Sequence, residues 1–126
     1  MPALPWTSRQ VIEDDRTYTV MSSKLPLQHS RSIIGFLRDT LAIRRQLNAA
    51  AGLIAYSLDA DLVHRTFWTF SVWDDQQSLD AFASSQPHRR IIERLRPLMG
   101  PTRFATSPTA GKDIPTTWSE RKSPVA

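Results

Sequence analysis

The stretch Arg65 to Asp75, RTFWTFSVWDD, constrains the fold of this chain more than any other segment. It crowds aromatic and β-branched residues into one short run closed by two aspartates, the signature of a β-strand. Side chains alternate along a strand, so Trp68, Phe70 and Val72 share one face while Phe67, Thr69, Ser71 and Trp73 share the other. Neither face suits solvent. A strand of this kind needs a covering layer on each side, and the rest of the chain must account for both.

The segments around it supply one layer directly. TYTVMSSKLP alternates well enough to form a strand ending at Pro26, whereas the sequence before Tyr18 is turn-rich and charged. From Ser30 to Ala50 the spacing predicts a long helix, capped by Ser30 or Ser32 and ended near Gly52. Ile33, Phe36, Leu37, Thr40, Leu41, Ile43 and Leu47 form its broad apolar face, with Arg38, Ala42, Arg45 and Gln46 opposite. GLIAYSLDADL is the next strand, joined to the opening strand as a hairpin. Asp74 or Asp75 then caps a short helix that turns Leu79 and Phe82 inward. A second helical segment starts near Pro87 and places His88, Ile91, Ile92, Leu95 and Met99 on one side, and TRFATSPT adds a last strand.

The order is therefore β-α-β-β-α-β, an α+β, ferredoxin-like arrangement: a four-stranded antiparallel sheet with its helices on one face. A length of 126 residues suits a single domain over 1–126, with a core at about 17–107 and a C-terminal tail at 108–126. The bare sheet face has two possible covers. A second copy of the chain, packed sheet to sheet as a homodimer, is favoured over the tail, because Trp118 is one of the few large apolar residues the tail offers.

The bulk composition narrows the functional classes. A formal charge of +4 comes from sixteen scattered basic residues with no basic run interleaved with exposed aromatics, so nucleic-acid binding is not expected. The absence of cysteine excludes disulfides and thiolate chemistry. No apolar run approaches the roughly 20 residues needed to span a bilayer, and MPALPWTSRQ does not read as a secretion signal, so a cytoplasmic protein without a membrane partner is expected. No nucleotide-binding or serine-hydrolase motif is present, and three separated histidines make a dedicated metal site unexpected.

The combination of GLIAYSLDADL, TFWTFSVWDDQQSLDAFASSQPH and MGPTRF, in this order, resembles the dimeric α+β barrel proteins related to antibiotic biosynthesis monooxygenases. The resemblance spans about Tyr18 to Phe104 and is more specific for fold than for chemistry. It implies a homodimer meeting through Trp68, Phe70 and Val72, and a pocket in each subunit between sheet and helices, on the side of Trp73, Ser71 and Thr69. Members of that superfamily include cofactor-independent oxygenases of electron-rich aromatic compounds and haem-degrading enzymes. The latter combine a first-strand asparagine with a tryptophan and a histidine; Trp73 and His88 are similar, but TYTVMSSKLP has no asparagine, which weakens a haem role.

The candidate residues each carry two readings. His88, on the inward side of its helix, can shuttle a proton from a phenol, or simply bond a nearby carbonyl. Arg44 falls within the apolar arc of the long helix, where it either orients an anionic oxygen, or pairs with Asp59 or Asp61, or simply snorkels to solvent at the helix end. Trp73 can wall a pocket for a flat ring and donate its indole N–H, or serve as a core anchor. Tyr56, Thr69 and Ser71 can fix a ligand's orientation, and Phe67 shares their face. Two functions follow: a monooxygenase-like protein that needs no cofactor and acts on a small electron-rich aromatic substrate, or a non-catalytic homodimer that binds a small hydrophobic molecule.

Overall fold

The computed structural model describes residues 3–125. Its elements are β1 (Ala3–Ser8), β2 (Thr17–Pro26), α1 (Ile33–Asn48), β3 (Leu53–Asp61), β4 (Thr66–Trp73), α2 (Gln76–Ser84), α3 (His88–Leu95), β5 (Arg103–Ala110) and α4 (Trp118–Lys122). The strands form one antiparallel sheet in the order β1-β3-β4-β2-β5. Within it β2-α1-β3-β4-α-β5 is the expected ferredoxin-like core, with α2 and α3 in the place of its second helix. No helix among the described residues is long and apolar enough to cross a membrane.

The expected elements form, most of them for the expected reasons, although Ser32 at the N-cap of α1 makes no capping hydrogen bond through its side chain. Asp75 caps α2 by accepting a hydrogen bond from the Ser78 amide at 2.8 Å. Gly52 adopts a φ of 81° between α1 and β3, a conformation that favours glycine. The sheet differs from expectation by one strand. β1 pairs with the edge of β3, and its register shifts between Leu4 and Thr7, around Pro5. A proline cannot donate to a ladder, so it argues against a central strand; an edge strand tolerates it.

The strand that opened the sequence analysis is β4, central in the sheet and covered on both sides. On the helix side, Phe67 is fully buried with its ring 4.2 Å from that of Phe36, in a cluster completed by Leu25, Leu27, Ile91, Leu95 and Met99. Further along the same side, Trp73 packs with Leu53, Tyr56 and Leu79. On the opposite side, Phe70 and Val72 join Tyr18, Val20, Ile54 and Ala55 beneath Ile114 and Trp118.

That second layer corrects the expectation of a homodimer packed through Phe70 and Val72. The chain's own C-terminal segment occupies the position, leaving these two side chains 1% and 0% exposed. The tail succeeds with few apolar residues because cations extend its cover. Arg121 lies over the rings of Phe70 and Trp118 at 4.9 and 5.2 Å, and Lys122 lies 3.9 Å from the Trp68 ring centre while pairing with Asp59 at 2.6 Å. Thr117 starts α4 by accepting from the Glu120 amide. The sequence Thr117-Trp-Ser-Glu120 is a capping-box pattern that marks this helix start in advance.

Candidate functional site

The helix-side core is split. One cluster gathers around Phe36, Phe67 and Leu95, the other around Trp73, Tyr56 and Leu79, and a cavity of about 130 Å³ lies between residues of the two. Its wall includes Phe36, Thr40, Ile43, Arg44 and Leu47 from α1, Ser23 from β2, Tyr56 from β3, Thr69, Ser71 and Trp73 from β4, Phe82 from α2, and His88 and Ile92 from α3. Six of the seven site residues expected from sequence therefore meet here. Phe67 does not; its ring is sealed beneath Phe36 as core.

The orientation of α1 also departs from its sequence pattern. Leu41 is 56% exposed and Leu37 is also exposed, although both belong to the broad apolar arc of the helix. The inward edge is instead Phe36, Thr40, Ile43 and Leu47, with Arg44 beside it on the cavity wall. Gln46, expected to face solvent, bridges to the neighbouring helices. Its Nε2 donates to the Phe82 carbonyl at 3.2 Å, and its Oε1 accepts from the His88 amide at 2.9 Å. One glutamine thus ties α1 to both ends of the turn that presents His88.

Most polar atoms on the wall are already engaged. Trp73 Nε1 donates to Ser71 Oγ at 2.9 Å, so the indole N–H expected to serve a ligand is spent within the wall. Tyr56 donates its hydroxyl to Asn48 Oδ1 at 2.8 Å, and Ser23 and Thr69 bond each other through their hydroxyls. These pairs stiffen the pocket and present mainly apolar surface.

His88 and Arg44 are the exceptions. The His88 Nδ1–H donates to the Ala83 carbonyl at 3.0 Å, which leaves Nε2 carrying the lone pair of a neutral ring. Burial pushes the imidazole below its ordinary value, and the Ala83 hydrogen bond opposes this only in part. The ring packs 4.9 Å from Phe82, which packs 5.3 Å from Trp73, so an aromatic row leads to the imidazole. The Arg44 guanidinium has no ion pair or hydrogen bond among the described residues. Its two expected partners are taken: Asp59 by Lys122 and Asp61 by His64. Asp39, also on the wall, pairs with Arg94.

The lowered His88 value carries a stability consequence. Because the unfolded chain takes up this proton near pH 6.5 and the folded chain only below that, the unfolded state binds more protons within that window. The His88 contribution is therefore complete above about pH 6.5 and declines as the pH falls through the window. Urea midpoints between pH 7.5 and 5 are expected to fall more steeply for the wild type than for His88→Gln. Parallel curves would remove the histidine as the cause.

No family model and no curated protein matches this sequence. Its fold does match solved structures. A candidate monooxygenase from Fusobacterium nucleatum superposes with a TM-score of 0.70 at 13% identity over 86% of this chain; the chain spans only 51% of that longer protein. An antibiotic biosynthesis monooxygenase gives 0.64 at 13% identity, covering 71% of this chain and 95% of the other. SnoaB, a cofactor-independent oxygenase from Streptomyces nogalater examined as a mutant, gives 0.59 at 13% identity, covering 78% and 97%. The chain thus has the α+β fold of the antibiotic biosynthesis monooxygenase-like proteins, as the sequence resemblance implied.

Proposed function

We propose that this protein is a small oxygenase that uses no cofactor and acts on a single-ring, electron-rich aromatic substrate bound between sheet and helices. The observation that carries this reading is the pairing, on one apolar cavity, of a neutral imidazole base with an unpartnered guanidinium. SnoaB, a cofactor-independent oxygenase of the same fold, supports the choice of chemistry. In this reading His88 Nε2 takes the proton of a phenolic hydroxyl, Arg44 faces the negative oxygen that results, and Trp73 and Phe82 flank the ring. The electron-rich anion then reduces dioxygen: one oxygen atom enters the ring and the other leaves as water, so that hydroquinone plus O₂ gives hydroxybenzoquinone plus water.

The cavity volume decides the size of the substrate. An apolar cavity near 150 Å³ holds a benzene ring, and this one measures about 130 Å³. A three-ring anthrone or a porphyrin exceeds this volume and would have to extend through the open side of the pocket or part the helices, which weighs against a haem role. Every residue this reading uses belongs to one chain. Oxygen-electrode measurements are expected to show uptake with hydroquinone above the uncatalysed rate, and slower uptake with an anthrone. Tight binding of hydroquinone with no uptake would replace this reading with that of a non-catalytic ligand-binding protein.

A further inference from the structure

The charge balance of the cavity points to a feature of the substrate beyond its ring. Arg44 is half-buried on the cavity wall, carries the charge of a guanidinium and has no partner among the described residues. The one carboxylate on the same wall, Asp39, is already neutralised by Arg94. His88 is neutral, so the wall carries one uncompensated positive charge. A half-buried guanidinium can keep its head in water, but an opposing charge brought into the recess gains a charge-assisted contact there, and no described residue on the wall supplies one.

We infer that the substrate brings that charge itself, as a carboxylate attached to the aromatic ring and held by Arg44. A phenolic hydroxyl does not meet the need before reaction, because phenols ionise near pH 10 and arrive neutral. A ring carboxylate arrives ionised, and its two oxygens match the fork of the guanidinium. The cavity volume is close to that of a site holding one bare ring, and the site is partly open, so ring substituents would reach past the enclosed space; the inferred substrate class is a hydroxylated benzoate. The net charge of +4 favours the approach of such an anion. The inference rests on the proposed aromatic site and extends the role of Arg44: its fork holds the carboxylate, and a hydroxyl ortho to that carboxylate lies beside the same guanidinium, so recognition can be tested separately from oxygenation.

The test is anaerobic titration calorimetry with 2,5-dihydroxybenzoate and with hydroquinone, which differ by the carboxylate. The wild type is expected to bind the acid at least about tenfold more tightly, from one charge-assisted contact. In Arg44→Gln the ratio of the two affinities is expected to fall to near one, and Arg44→Lys is expected to restore part of it. Equal affinities in the wild type, or a preference that survives Arg44→Gln in a folded protein, would overturn the inference. Oxygen uptake on the same two compounds separates the claims. A carboxylate preference without uptake removes the oxygenase and leaves this recognition standing; uptake on hydroquinone without the preference does the reverse.

Discussion

A chain ending at Ala110 is expected to lose a large part of its folding stability and to self-associate. The segment removed holds Ile114 and Trp118 against a sheet face made of Tyr18, Val20, Ile54, Phe70 and Val72, and it also carries the buried Val125. Burying a large apolar side chain is worth about 1.5–3 kcal/mol, so the three together are worth on the order of 5 kcal/mol, an upper figure because unfolded chains are partly compact. Domains of this size are stable by only about 5–15 kcal/mol. Losing the cation contacts of Arg121 and Lys122 over Phe70 and Trp68 adds to the deficit. The uncovered face is then a contiguous apolar patch, and the partner that best matches it is the same patch on another shortened chain. Urea denaturation should show a markedly lower midpoint, and light scattering after gel filtration a larger mass than for the full chain. An unchanged midpoint together with an unchanged mass would show that the tail is not the covering layer.

Replacing His88 with alanine is expected to lower oxygen uptake by a factor of about 100 to 10,000, the usual contribution of a positioned general base. The ring sits at the start of α3, with its amide fixed by Gln46 and its Nδ1–H fixed by Ala83, so only Nε2 is available to take a proton. Burial keeps it unprotonated below the ordinary histidine range, so wild-type activity should persist at mildly acidic pH and fail only beneath it. Gln46→Ala provides a graded comparison. It leaves the imidazole in place but frees the turn that carries it, so a smaller loss than in His88→Ala is expected. If His88→Ala retains full turnover, the base is not His88.

The elements of this fold were legible because each carries a local signature. Alternation marked β2, β3 and β4, the pair Asp74 and Asp75 marked the start of α2, where Asp75 proved to be the cap, and the inward side of α3 carried Ile91 and Leu95. The first strand was obscured by Pro5, since a lone edge strand takes its hydrogen bonds from a distant neighbour, which leaves little local trace. The cover of the second sheet face was misjudged for a related reason. Counting large apolar residues undervalues Arg121 and Lys122, whose aliphatic stems and charges cover aromatic rings once the tail lies down.

For the candidate site, residue types and faces were visible in advance, but occupancy was not. A period of 2 put Thr69, Ser71 and Trp73 on one face of their strand and a period of 3.6 put His88 on the inward side of its helix, while the family resemblance implied that this strand face is the helix side. That Phe67 is sealed while the others border a cavity depends on Phe36 lying directly over it. That the indole of Trp73 is spent on Ser71 and the hydroxyl of Tyr56 on Asn48 depends on distances no period encodes.

The sequence by itself determined which segments become strands and helices, their order, and hence a ferredoxin-like sheet with one face of β4 turned to the helices, because these depend on interactions between near neighbours along the chain. Only the tertiary structure decided that the tail covers the other face, that Gln46 grips the His88 turn, and that Arg44 has no partner among the described residues. Each of those depends on which distant side chains compete for the same space and the same charge, and that competition is resolved only when the elements pack.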